Sequence, residues 1–203
     1  MNFEKLFISE GKPYEGKSVR DKFLSRIFGI FNEEIIRIWC DNKKSPFTDV
    51  GRPTLYDGDG RHYTLDFLLE DRKGSFFVTE MKCEIEYQKY KYLTLSESKQ
   101  FNHHRKKRAF QLFLENAESP NKYTVKVKGE AVEVNGSALV WGRTSSEGAA
   151  NIKSEFSIAH IISTEKVVED LLNWKDERYF SYIQEYQEWS NQLFNGLSGH
   201  EKP

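Results

Sequence analysis

The order of periodic segments predicts an α/β protein: a mixed central sheet flanked by helices, with an added helix at the C-terminal end. Three observations carry this. Residues 18 to about 40 repeat apolar side chains at helical spacing. Three strand-like segments follow at 48–56, 62–70 and 75–84, punctuated by Asp57-Gly-Asp-Gly60 and Arg72-Lys-Gly74. A second helical pattern, further strands and a long helical tail complete the chain. The core order is αβββαβ.

In the first helix Phe23, Leu24, Ile27, Phe28, Phe31, Ile35 and Ile38 share one stripe, opposed by Arg26, Glu33 and Arg37. Glu34 projects from the apolar stripe, between Ile27, Ile30 and Ile38, where a carboxylate needs a reason. Pro53 makes the 48–56 segment an edge or irregular strand. Asp57-Gly-Asp-Gly60 is a strong hairpin turn. The second helix is expected from Thr94 to about Ala117, with Thr94-Leu-Ser-Glu97 at capping-box spacing. Residues 123–128 and 131–134 alternate like strands, and Asn135-Gly136 reads as a hairpin turn into Ser137–Trp141. Residues 144–151 read as a loop of small residues, and 156–162 as a strand. The tail is helical from Thr164 to about Phe194, broken near Lys175-Asp176. One domain is expected over 1–203, with an N-terminal extension at 1–17 and an additional helical region at 164–195.

Composition narrows the class. The 203 residues carry a formal net charge of −1 and 14% aromatic residues. That describes a soluble globular protein, and the overall charge lends no support to nucleic-acid binding; only local patches can. No apolar run approaches the roughly 20 residues of a membrane span. The N-terminus lacks a signal-peptide pattern, and Cys40 and Cys83 form no zinc motif, so a cytoplasmic location is expected. No Gly-rich phosphate loop and no nucleophile elbow is present, which argues against nucleotide-hydrolysing and serine-hydrolase chemistry.

The densest chemistry lies in two successive strands, Tyr63-Thr-Leu-Asp66-Phe and Phe76-Phe-Val-Thr-Glu80-Met-Lys82. Side chains alternate along a strand, so Glu80 and Lys82 project to one face. In an antiparallel pair Asp66 lies close to Glu80. Two clustered carboxylates repel unless a proton or cation intervenes. This arrangement resembles the PD-(D/E)XK nuclease superfamily of metal-dependent phosphodiesterases, on Asp66, the fourteen-residue step to Glu80, and Lys82.

The resemblance implies a restriction-endonuclease-like αβββαβ core and Mg²⁺- or Mn²⁺-dependent hydrolysis of DNA. It implies Asp66, Glu80 and the Met81 carbonyl as metal ligands, with Lys82 serving the attacking water. It also implies an acid from the first helix, for which Glu34 is the candidate; a pairing of Glu34 with Arg20 or Arg52 is an equal alternative. The basic run His103-His-Arg-Lys-Lys-Arg108 falls on the helix beside the site. Lys99, Gln100, His104, Arg105 and Arg108 are the candidate DNA contacts there, against the alternative of a solvated helix face. The aromatic tail, Tyr179 to Trp189, is core packing or a homodimer interface. An inactive nuclease-fold protein that binds nucleic acid or a protein is the alternative function.

Overall fold

Ser18 starts the first helix by accepting the Asp21 amide on its hydroxyl at 3.0 Å, which satisfies a donor that a helix start leaves open. The structure, a computed structural model, describes residues 18–82 and 94–199. The extension expected at 1–17 lies outside them. The elements are α1 (Val19–Asp41), β1 (Phe47–Gly51), β2 (Thr54–Tyr56), β3 (His62–Thr64), β4 (Phe67–Asp71), β5 (Phe76–Lys82), β6 (Thr94–Leu95), α2 (Arg108–Glu118), β7 (Thr124–Val127), β8 (Glu130–Ala131), β9 (Gly136–Trp141), β10 (Arg143–Thr144), α3 (Ser146–Phe156), β11 (His160–Ser163), α4 (Thr164–Trp174) and α5 (Glu177–Leu197).

The protein is α/β with a mixed open sheet of order β1-β4-β5-β9-β11. β1, β4 and β5 pair antiparallel, whereas β5, β9 and β11 run parallel. Parallel neighbours need crossovers, which carry α2 between β5 and β9 and α3 between β9 and β11. β9 is buried along its whole length, as a central parallel strand should be. Side-chain alternation divides the core in two. Leu68, Val78, Leu139 and Trp141 pack with Phe110, Phe113 and Phe156 of α2 and α3. Phe67, Leu69, Phe77, Met81 and Val140 pack with Ile36 and Trp39 of α1 and with Val167 and Leu171 of α4.

The three expected strands are interrupted twice. The 48–56 segment divides at Arg52-Pro53, because proline has no N–H for a ladder and the register already shifts between Asp49 and Gly51. β1 stays in the main sheet, while β2 enters a second sheet of order β3-β2-β7-β8. The 62–70 segment divides at Leu65-Asp66: β3 pairs with β2, and β4 returns to the main sheet. The Asp57–Gly60 hairpin turn is as expected, closing on the Asp57 and Arg61 backbone pair at 2.7 Å.

Four expectations are corrected. The helix expected from Thr94 starts at Arg108; before it come β6 and two short 3₁₀ turns, Ser98–Phe101 and His104–Lys106. The capping box falls at Glu97 and Gln100, three residues later than the Thr94–Glu97 spacing. Asn135-Gly136 makes no hairpin: Asn135 exchanges both its amide and its side-chain oxygen with the Phe76 backbone, which starts the parallel β5–β9 ladder. Residues 144–151 contain the start of α3, capped by the Ser145 hydroxyl on the Gly148 amide at 3.0 Å. The break at 175–176 is as expected, with Lys175 at φ +54° and Asp176 capping α5. The apolar tail is largely uncovered: Tyr179 is buried, but Phe180, Trp189, Leu193, Phe194 and Leu197 are exposed. Phe23 of α1, also exposed, meets Phe194 at 6.2 Å.

Gly148 fixes the approach of α3 to β6. A Cβ there would sit 2.5 Å from the Ser96 Cα and 2.6 Å from the Leu95 carbonyl oxygen, both backbone atoms. Gly148→Ala is expected to destabilise the fold by about 1–3 kcal/mol, read by thermal unfolding. A variant as stable as the parent would mean that the Leu95-Ser96 backbone yields freely.

Candidate functional site

Asp66 lies where the chain leaves the small sheet and joins the large one. Its amide donates to the Thr79 carbonyl at 3.2 Å, and its Oδ2 accepts the Met81 amide at 2.7 Å. β4 and β5 pair Phe67 with Thr79. One residue further along that register, Asp66 comes opposite Glu80.

Glu80 and Lys82 share a face of β5, the same one as Val78. Glu80 is 7% exposed, and its Oε1 accepts from Lys82 Nζ at 2.5 Å. Lys82 Nζ also donates to the Met81 carbonyl at 2.9 Å. Asp66, Met81 and Lys82 line a cleft of about 200 Å³ whose opposite wall is Gly29, Asn32 and Glu33 of α1. Arg52, which precedes the strand break, reaches Asp66 Oδ1 at 3.7 Å.

Burial pushes the carboxyls of both Asp66 and Glu80 above the usual range. For Asp66 the Met81 amide and Lys82 oppose this, and Glu33 adds to it. For Glu80 the Lys82 ammonium opposes it, and the neighbouring Asp66 adds to it. Even with a lysine bonded to one of them, the two acids lack enough positive charge to offset their desolvation.

The α1 acid in the cleft is Glu33. Glu34 is on another face, lining a surface groove with Ile38, Arg178, Tyr182 and Glu185, and its carboxylate meets Arg37 at 3.4 Å. Neither expected partner of Glu34, Arg20 or Arg52, pairs with it. The physical reason is that α1 buries two faces. Phe23 and Phe31 of the apolar stripe turn toward α5, where Phe31 meets Tyr186 at 4.5 Å. The sheet-facing side is Asn32, Ile36, Trp39 and Cys40, with Trp39 against Phe47 of β1 at 6.1 Å.

The basic run separates by environment. Arg108 is spent within the fold, bonding Asp57 at 2.8 Å and Glu115 at 2.7 Å and tying the β2–β3 hairpin to α2. Those pairings push Arg108 further up, and Lys122, Tyr123 and Arg108 hold Glu115 down to about 2. Gln100 is buried; its side-chain oxygen accepts the Ser96 and Glu97 amides and its nitrogen donates to the Thr94 carbonyl. His104 is buried between Phe110 and Trp141, and burial brings it down to about 3, so it is neutral at physiological pH. None of these three is placed to meet a phosphate. Lys99 and Arg105 are exposed, the first beside Glu97 at 2.7 Å and the second over the Phe156 ring at 5.0 Å. Exposed Lys107 acts electrostatically on both Glu80 and His104, which links the run to Glu80 of the site.

Among the described residues no group of three or more His, Cys, Asp or Glu side chains is gathered as a metal site. No helix among them is long and apolar enough to cross a membrane. A scan against protein-family models found no match, and comparisons with curated proteins and with solved structures found none either.

Raised carboxyls have a stability consequence of definite sign. The folded state retains these protons at pH values where the unfolded chain has released them, so their contribution falls as pH rises through that window. Asp66→Asn keeps an oxygen for the Met81 amide and removes the charge. It is expected to stabilise the metal-free protein by about 0.5–2 kcal/mol at neutral pH. The gain should shrink as pH falls toward the ordinary aspartate value of about 4. Chemical denaturation across pH checks this; a loss of stability at neutral pH would contradict it.

Proposed function

We propose that this protein is a metal-dependent nuclease that hydrolyses DNA phosphodiester bonds on a restriction-endonuclease-like αβββαβ core. The observation that carries the reading is the convergence of Asp66, Glu80 and Lys82 beside one cleft, from two strands adjoining in an antiparallel pair. The strand order β1-β4-β5-β9-β11, antiparallel at one end and parallel at the other, with α1 and α2 on opposite faces, supports the same core.

The residues fit a hard divalent cation. A buried and a partly buried carboxylate short of positive charge, with the Met81 carbonyl directly after Glu80 in sequence, are oxygen donors of the right type. Mg²⁺ commonly takes one or two carboxylates and keeps several waters, so the absence of a third gathered acid among the described residues suits it. Asp66, Glu80 and the Met81 carbonyl would hold the ion. When bound, it would polarise the phosphate and lower the pKa of water.

The chain's own part follows from Lys82. An ammonium has three N–H donors, and two are held by Glu80 and the Met81 carbonyl. The third can point to the phosphate or to the attacking water, fixing its line of approach and offsetting charge that builds on the phosphorus oxygens. Water forms a bond to phosphorus as the opposite P–O bond breaks. Lys107, which acts on Glu80, and the exposed Arg105 and Lys99 would be the residues to take flanking phosphates, contacts that position a strand without reading its sequence. Glu34 has no part in this site.

The alternative is an inactive nuclease-fold protein that binds nucleic acid or a protein partner. The direct pairing of Lys82 with Glu80, in which the ammonium already occupies an oxygen a metal would take, is the observation in its favour. The exposed apolar residues of α1 and α5 are where a homodimer contact would form, which sedimentation of the pure protein would reveal.

Supercoiled plasmid and linear single-stranded DNA, each incubated with Mg²⁺, Mn²⁺ or chelator, test the reading. Cutting is expected with either metal and not with chelator. Glu80→Ala should abolish it, and Lys82→Ala should slow it by roughly 10²–10³-fold, the scale for losing one transition-state donor. Glu34→Gln should cut like the parent. Cutting that survives Glu80→Ala would place the active site elsewhere; no cutting with any metal would favour the binding protein.

A further inference from the structure

We propose that the side-chain oxygen of Asn32 is a third protein oxygen of the same metal centre, in a position where no acid stands. The inference rests on the nuclease reading above and adds a residue to it.

Asn32 is 4% exposed, and its Oδ1 is buried with no hydrogen-bond partner. A buried amide oxygen without a donor is costly, because folding removes its water and returns nothing. Asn32 also lines the cleft with Gly29, Glu33, Asp66, Met81 and Lys82. The lining has little to offer it. The Met81 amide is given to Asp66, and Lys82 gives two N–H groups to Glu80 and the Met81 carbonyl. The cleft's carboxylates, Asp66 and Glu33, are acceptors themselves. A cation satisfies the amide oxygen and the acids together, and amide oxygens are ordinary ligands of hard divalent ions.

Gly29 keeps the way open. Helical side chains lean toward the helix N-terminus, so the Asn32 amide leans over the turn that contains Gly29. A Cβ at Gly29 would meet nothing within 4 Å, so no side chain closes that turn off from the cleft. Glycine inside a helix costs roughly 1 kcal/mol relative to alanine, a cost the helix bears here at a cleft-lining position.

A neutral third ligand also fits the charge balance. Glu33 already raises Asp66, and a further acid at position 32 would add to the repulsion in the metal-free protein. An asparagine contributes an oxygen without that penalty.

The test is calorimetric titration of the protein with Mn²⁺, without DNA, together with the Mn²⁺-induced shift in melting temperature. Parent, Asn32→Leu, Asn32→Asp and Glu34→Gln are compared. Asn32→Leu should weaken Mn²⁺ binding by about tenfold or more, the lower end of what is lost with supporting groups of metal sites. Its metal-free melting temperature should match or exceed the parent's, because an unsatisfied acceptor is gone. Asn32→Asp should bind Mn²⁺ more tightly than the parent and melt lower without it. Glu34→Gln should bind like the parent. Should Asn32→Leu fail to fold, Asn32→Asp decides alone. Parental affinity in both Asn32 variants overturns this inference and leaves the nuclease reading standing. A parent protein that binds no metal overturns both.

Discussion

The site depends on one hydrogen bond, from the Met81 amide to the Asp66 carboxylate at 2.7 Å. It forms where the chain changes sheets. Pro53 and the shifted register at Gly51 end β1, the β2–β3 hairpin leaves for the small sheet, and the chain returns at Asp66. The returning backbone is pinned twice, by Leu65 on Pro53 and by Asp66 on Thr79. A residue inside a regular ladder would send its side chain straight into one of the two cores. At the crossing Asp66 can instead turn its carboxylate along the edge of β5, beside the strand that carries Glu80 and Lys82. The excursion into the second sheet is what makes the acid pair possible.

The same geometry creates an electrostatic debt. Both acids are desolvated, Asp66 raises the proton affinity of Glu80 as Glu33 raises that of Asp66, and the lysine offsets this only in part. Sites of this kind lower the stability of the empty protein and favour whatever ligand carries positive charge. The surroundings are otherwise rigid. β5 is buried through its centre and held by β4 on one side and β9 on the other, and aromatic cores lie above and below. Such a frame holds Glu80 against Lys82 and keeps Asp66 and Lys82 at the cleft rather than letting them relax into solvent.

Much of this was legible in the sequence, and the failures have physical causes. Alternation placed Glu80 and Lys82 on one face, and strand adjacency brought Asp66 to them. α1, the Asp57–Gly60 turn and the break at Lys175 could be read from periodicity and turn chemistry. The error at Glu34 came from treating an apolar stripe as the face toward the sheet. Here Phe23 and Phe31 of that stripe meet α5, and the sheet-facing side begins with a polar residue, Asn32, which hydrophobic counting discards. The spacing of Asn32, Ile36 and Trp39 held the missing signal. The basic run misled for a related reason. A local charge count cannot foresee that Arg108 is claimed by Asp57, 51 positions away, or that His104 is enclosed by Phe110 and Trp141. The late start of α2 was hidden because Gln100 closes a short 3₁₀ turn with a side-chain pattern that also begins α-helices.

The central claim is that Asp66 and Glu80 together form a divalent-cation site. Anomalous diffraction from crystals soaked in Mn²⁺ tests it most directly. The account predicts a peak between the two carboxylates, within reach of the Met81 carbonyl, and its loss in Glu80→Ala crystals. No peak there, with Glu80 still bonded to Lys82 and Asp66 still capping the Met81 amide, would contradict it.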